Sequence, residues 1–440
     1  MSERPILRWA ALSADERRAA LRRPANNDAA SLHQRVQAII DNVRSNGDAA
    51  LLAYTKQFDD AVLDSLAATA AEFAAAERSL QPAQLAALDR AIDNVQRFHE
   101  AQLTAAIRLE VSPGVVCERQ FRPIDAVGLY VPAGVAPLPS AAIMLAVPAR
   151  IAACRTRIIC TPPRKDGTAD PAVLTVAKRC GVDLVFKVGG AQAIAAMAYG
   201  TQSIPKVDKV FGPGSAWVTA AKLLVSNDPE GAALDLPAGP SEVLVIADAS
   251  ARPEFVAADL LAQAEHSIDA QVVLVTTSSD LARATLAQLE QQMRRLGRAS
   301  TLRESIGHSR IIVVDSLDAA FEVSNAYAPE HLIVQTANPR TYLPQVRNAG
   351  SVFLGAWTPE TMGDYCSGTN HVLPTYGFAR AYSGLSMTDF LRRMTIQELS
   401  ADGLRDLGPT AVTIAQLEGL DAHANAVQVR LAHLEQADRS

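Results

Sequence analysis

The chain has 440 residues, more than one hydrophobic core usually organises, so two or more domains with a large buried interior are expected. With 49% hydrophobic residues, 20% charged residues and a formal net charge of -6, its make-up is that of an ordinary globular protein. There is no basic surplus for a polyanion, which excludes nucleic acid as an expected partner.

Arg4, Arg8 and Asp15 interrupt the N-terminal stretch before a signal-peptide core could form. Further in, the apolar run from Ser140 to Cys154 is broken by Pro148 and Arg150 and falls short of the ~20 residues that span a bilayer. A cytoplasmic protein with no membrane partner is therefore expected. Cys117, Cys154, Cys160, Cys180 and Cys366 are an odd, scattered set without C-x-x-C spacing, which argues against a disulfide frame or a thiolate zinc cage. Cys154 and Cys160 stand in apolar surroundings and read as packing residues.

From Leu32 to Leu103 the apolar residues recur at helical spacing, as in Leu85, Leu88, Ile92 and Val95, where Pro82 suits a first helical turn. From about Asp125 short apolar runs alternate with helical stretches, the pattern of βαβ units around a parallel sheet. The first set of strands reads AVGLYV, RIIC, LVFKV and DKVF, and the helix from Asp170 to Cys180 between them has an N-cap in Asp170 followed by Pro171. The Gly/Pro-rich crossover LDLPAGPSE, Leu234 to Glu242, leads to a second set: EVLVIAD, QVVLVT, RIIVVD, HLIVQ and SVFLG. Two α/β domains joined at that crossover are expected. After Gly355 strands largely stop, and a loop-rich stretch from Trp357 to Tyr376 is followed by helices to Ser440. Among these, Gln416 to His433 has no sheet of its own to cover and suits packing on a partner subunit.

The candidate chemistry is dispersed. KVGGAQAIAA (Lys187 to Ala196) and VFGPGSAWV (Val210 to Val218) each read as strand, tight turn and helix start, so their amides could meet a pyrophosphate, although any tight turn uses glycine. In the helix opened by Pro253, Asp259, Gln263 and His266 share one face, either as a solvated face or as a group converging on an ion. NAYAPEHLIVQT sets Glu330 and His331 just before an apolar strand, where an adjacent carboxylate and imidazole can divide two proton transfers or simply expose two polar residues. MGDYCSGTNHVLP is a long polar loop carrying Asp364 and His371. Near the C-terminus, Glu418 and His423 would align on one side only across a break near Leu420 and Asp421.

Taken in order, the segments LDLPAGPSEVLVIAD, DLLAQAEH, NAYAPEHLI, AGSVFLG, GDYCSGTNHVLPT, MTIQELS and AHANAV closely resemble the histidinol dehydrogenase family, from about Ala25 to Leu434. The resemblance implies an α/β fold of two incomplete Rossmann-like parallel-sheet domains, with an N-terminal helical segment and a C-terminal helical dimerisation extension. It implies an N-terminal arm (1–27) and a larger domain (28–129 with 241–385) carrying the metal and acid-base site. A smaller NAD-contacting domain (130–240) and an extension (386–440) reaching the partner's active site would complete the chain.

The same resemblance implies two successive NAD-dependent oxidations of L-histidinol to L-histidine in a homodimer with shared active sites and one zinc ion per subunit. The zinc ligands would be Gln263, His266 and Asp364, with His423 from the partner chain. Glu330 and His331 would be catalytic; Ser241, His371 and Glu418, together with His331 and the four ligands, would surround the substrate. Tyr130, Gln192 and Ser215 would contact NAD, although the family carries Asn where this chain has Ser215, so a modestly raised Michaelis constant for NAD is expected. A related dehydrogenase of another small alcohol and a non-catalytic two-lobed binding protein are the competing readings. Glu418 with His423 argues against the first, the Glu330-His331 pair against the second.

Overall fold

A computed structural model describes residues 6–24, 29–133, 136–237 and 239–438. The chain forms two compact units, Met1–Gln102 with Ile124–Phe390, and Leu103–Pro123 with Leu391–Ser440.

The first unit contains two parallel sheets. The larger has six strands in the spatial order Leu7–Arg8, Arg310–Val313, Gln271–Thr276, Glu242–Ala247, His331–Gln335 and Ser351–Leu354. Its central strands are buried at every position and apolar between their polar ends Glu242, Gln271 and Thr276, as suits parallel strands covered on both faces. Val243, Val245, Val272 and Leu274 face one core and Leu244, Ile246, Val273 and Val275 face the other, the two-residue alternation of a pleated strand. Each such side chain taken fully out of water contributes about 1.5–3 kcal/mol.

The smaller sheet has five strands in the order Leu184–Lys187, Thr156–Thr161, Ala126–Tyr130, Lys209–Phe211 and Ala233–Leu234. Every strand expected in the two sets is present. Asp170 caps its helix as expected, its Oδ1 accepting from the backbone of Ala172 at 2.9 Å. The expected apolar run is the helix Pro139–Ile151, buried from Ser140 to Ala149. All five cysteines are free, and burial raises the thiol of Cys160 and pushes that of Cys154 up to about 11.

Several expectations need correction. The helices Ala29–Asp59, Ala70–Ser79 and Pro82–Glu100 pack chiefly on helices of the smaller sheet, the stripe of Val36, Ile40, Val43 and Leu51 joining the core around Ile194, and the third also meets 241–385 where Asn94 donates to the Cys366 carbonyl at 2.8 Å. The boundary expected at 130 falls on the last residue of a strand. The arm 1–27 is not purely helical: Leu7–Arg8 pairs with Ile312 and Val313 at the edge of the larger sheet.

The second unit is built on an antiparallel sheet, Leu391–Leu399, Val115–Pro123 and Ile107–Ser112, so the extension expected from 386 is not wholly helical: a 3-10 turn, Met387–Phe390, which still belongs to the first unit, leads into a strand. Two helices follow, Ala401–Leu417 and Asp421–Ala437, instead of one continuous helix through Gln416 to His433. They part at Gly419, whose φ of 70° a side chain would disfavour. This is the break expected near Leu420.

Candidate active site

The strands Glu242–Ala247 and His331–Gln335 run side by side with His331 opposite Val243. That register brings the backbone of Glu242 against both residues of the expected acid-base pair. The amide of Glu242 donates to Glu330 Oε2 at 2.8 Å, and the carbonyl of Glu242 lies 3.0 Å from His331 Nδ1. A carbonyl only accepts, so Nδ1 carries the proton of that bond and Nε2 is turned toward Asp364 Oδ1, 3.4 Å away. The left-handed turn at Ala328, φ 54°, ends the preceding helix and aims the pair inward. Gly350 permits the close approach behind it, since a Cβ there would stand 2.6 Å from the Glu330 carbonyl oxygen.

Burial raises the Glu330 carboxyl, although His331 and the Glu242 amide oppose the shift. Burial also works against a charged imidazole at His331, but Glu330, Asp364 and Glu360 outweigh it and the ring holds its proton above the usual histidine range. Asp364 is held low in spite of burial by its contact with His331.

Gln263 is buried at the end of the helix Pro253–Ala264, with its amide placed to donate to Glu360 Oε1 at 2.7 Å and to accept from Glu242 N at 3.2 Å. Asp259, one turn earlier, accepts from Gln335 at 2.6 Å, and burial pushes its carboxyl up to about 7. His266 lies just past the helix, in the turn where its amide reaches the Gln263 carbonyl, so the shared helix face extends only through Gln263. It remains solvent-accessible, and partial loss of water lowers its imidazole against the pull of Asp364. The loop expected from Trp357 to Tyr376 contains the short helix Glu360–Tyr365, and His371 Nδ1 meets the Asp364 carbonyl at 2.7 Å. Ser241 directly precedes the Glu242 strand.

Glu360 went unread in the sequence. It stands four residues before Asp364, the spacing that puts two side chains on one helix face, and burial among acidic neighbours raises it far above the carboxylate range.

Among the described residues, no three His, Cys, Asp or Glu side chains converge to hold a metal ion. The expected set nevertheless fits a divalent cation in kind, as an amide oxygen, an imidazole with a lowered pKa and a carboxylate. Burial raises Asp259, Glu330 and Glu360 together, and a cation among them would offset that cost. Glu418, the residue closing one helix, and His423, in the first turn of the next, belong to the second unit and are exposed.

Of the three expected NAD contacts Tyr130 ends a strand of the smaller sheet and Gln192 and Ser215 come after strand ends, where open α/β sheets gather ligands. The buried Tyr130 hydroxyl accepts from Gly190 N at 3.0 Å, and Gln192 is buried in the next helix. Ser215 precedes the helix Ala216–Ser226 and makes no side-chain cap, leaving its hydroxyl exposed. The turn before it is fixed from below: Lys222 donates to the Gly212 carbonyl at 2.9 Å, and the Gly212 amide donates to Asp235 at 2.8 Å. At Gly212 a Cβ would stand 2.2 Å from the Tyr130 carbonyl.

A sequence profile of the histidinol dehydrogenase family matches residues 21–431. The histidinol dehydrogenase of Xanthomonas axonopodis pv. citri is 55% identical, with 97% of this chain and 99% of the relative aligned. That of Vibrio parahaemolyticus is 53% identical over 97% and 98% of the two chains. The crystal structure of histidinol dehydrogenase from Elizabethkingia anophelis superposes with a TM-score of 0.93 at 43% identity, covering 96% of this chain and 97% of that one. The chain belongs to the histidinol dehydrogenase family of NAD-dependent oxidoreductases.

Proposed function

We propose that the protein oxidises L-histidinol to L-histidine in two steps, passing a hydride to NAD in each. The observation that carries this reading is the buried Glu330-His331 pair, both members bonded to the backbone of Glu242. With Asp364, whose carboxylate otherwise helps keep the ring protonated, committed to a cation, His331 Nε2 is free in the first step to accept the hydroxyl proton as the carbinol carbon loses its hydride, giving the aldehyde. Glu330 then takes a proton from water as that water adds to the aldehyde, and His331 accepts the hydrate's proton as the second hydride leaves. Atoms and electrons balance: one alcohol, one water and two NAD give one carboxylate, two NADH and three protons.

Gln263, His266 and Asp364 would hold zinc, with His423 of a second copy as the fourth ligand. Bound there, zinc supplies a fixed point for the substrate's nitrogens and has no redox role of its own. Ser241, His371 and Glu418 would contact the substrate, and Tyr130, Gln192 and Ser215 the NAD. The homodimer is supported by Ile414, Leu417, Leu420 and Val429, apolar residues exposed on the closing helices of the second unit. No helix among the described residues is long and apolar enough to cross a membrane. A cytoplasmic location is part of the proposal.

The test is product stoichiometry with zinc-loaded protein and L-histidinol. Two NADH and one histidine per histidinol consumed are expected. One NADH per substrate, or no turnover, would favour a dehydrogenase of another small alcohol.

A further inference from the structure

Arg23 lies in the N-terminal segment, 219 positions from Glu242, yet its guanidinium grips the Glu242 carboxylate through two nitrogens, with Nη2 to Oε2 at 2.8 Å. The pair is buried, at 12% and 2% side-chain exposure. The same Nη2 reaches the carbonyls of Tyr327 at 2.9 Å and Ala328 at 3.3 Å, the end of the turn that delivers Glu330 and His331. The ring of Tyr327 lies 4.0 Å below the guanidinium.

Glu242 extends the connection in two directions. Its side chain accepts from the amide of Tyr376 at 2.9 Å, in the loop carrying Asp364 and His371, and the Tyr376 hydroxyl returns to the Pro24 carbonyl at 2.7 Å. Tyr376 holds a left-handed backbone, φ 55°, that only such surrounding bonds would keep in place. The backbone of Glu242 in turn meets Glu330 and His331. Arg23 therefore holds the turn before the acid-base pair and the residue beside it at once.

We propose that the Arg23–Glu242 ion pair is a positioning device for the reaction: it fixes the amide and carbonyl that orient Glu330 and His331, while touching neither substrate nor NAD. This rests on the reading of Glu330 and His331 as the acid-base pair. A misplacement of a catalytic group by about 1 Å can cost on the order of a hundredfold in rate. The effect should therefore fall on kcat and spare NAD binding, which belongs to the other sheet.

The experiment is a double-mutant cycle on the zinc-loaded protein, with L-histidinol and NAD as substrates. Arg23→Met should lower kcat about 10- to 100-fold while the KM for NAD stays within about twofold of the parent. Arg23→Lys keeps the charge but loses the fork; it should show the same split with a smaller drop, and serves if Arg23→Met does not fold. In a His331→Ala background Arg23→Met should cost little more, because its effect passes through the lost imidazole. Parent-like kcat in a folded Arg23 variant, or an equal proportional loss with and without His331, would overturn the proposal and leave the proposed function standing. Parent-like turnover in His331→Ala alone would overturn both.

Discussion

His331 Nε2 stands 3.4 Å from the Asp364 carboxylate while its Nδ1 is engaged with the Glu242 carbonyl. One imidazole thus joins a strand backbone to the carboxylate expected to bind zinc. With Nδ1 held by the strand backbone and Nε2 left without a hydrogen-bond partner among the described residues, the ring is held in place yet free at the reacting nitrogen, and its removal should be felt in turnover before it is felt in binding.

For the pair itself, His331→Ala should lower turnover by about 10²- to 10⁴-fold while histidinol still binds, as read by steady-state kinetics beside calorimetric titration. Glu330→Gln should separate the two oxidations. The first NADH should form at near-parent rate and the second should slow by roughly a hundredfold, so that aldehyde can be trapped. Equal slowing of both steps would remove the distinct role given to Glu330.

Dialysis against a chelator should abolish activity, and zinc should restore it. Asp364→Asn keeps the size and removes the charge that draws a cation; it should lower zinc content measured by elemental analysis, whatever its activity. Unchanged activity in metal-free protein would take the metal out of the reaction.

Ser215 tests the cofactor side. Its hydroxyl makes no cap and is exposed at a helix start. Ser215→Asn supplies the amide that the family resemblance leads one to expect there, and since one added hydrogen bond contributes about 1 kcal/mol, the KM for NAD should fall about fivefold with kcat unchanged. A rise in KM would show that the serine is fitted to this site.

Asp259 gives the pH dependence of stability in the metal-free protein. Burial pushes its carboxyl up to about 7, above its unfolded value of about 4, so folding favours the protonated form. That contribution is fully present below pH ~4, fades as pH rises, and is lost above about 7. Asp259→Asn stays neutral at every pH and can still bond Gln335. Its urea midpoint should pull ahead of the parent's as pH rises from 5 to 8; a constant difference would contradict the shift.

Periodicity and turn chemistry are local, which is why the strands around Leu244 and Val273 and the cap at Asp170 could be read directly from the chain. The hairpin Ile107–Ser112 and Val115–Pro123 escaped because its register with Leu391–Leu399 is decided by residues far along the sequence. The same holds within the site. Glu330 and His331 could be seen because they are adjacent, whereas Glu242 looks like an ordinary charged strand start until Arg23 and the Tyr376 amide are brought to it. Glu360 was within reach, since its four-residue spacing to Asp364 is a local signal.

The pairing of Leu7 with Ile312 has a consequence for how the molecule is made. Its first strand can find its place only after the chain has been synthesised beyond Arg310, so the segment bearing Arg23 stays unanchored through most of translation. Contacts of such sequence separation form late and slowly, because the ordering cost of closing the loop precedes any gain from the contact. With Arg23 positioning the acid-base pair as proposed, turnover should wait for this segment to dock against strands made long after it.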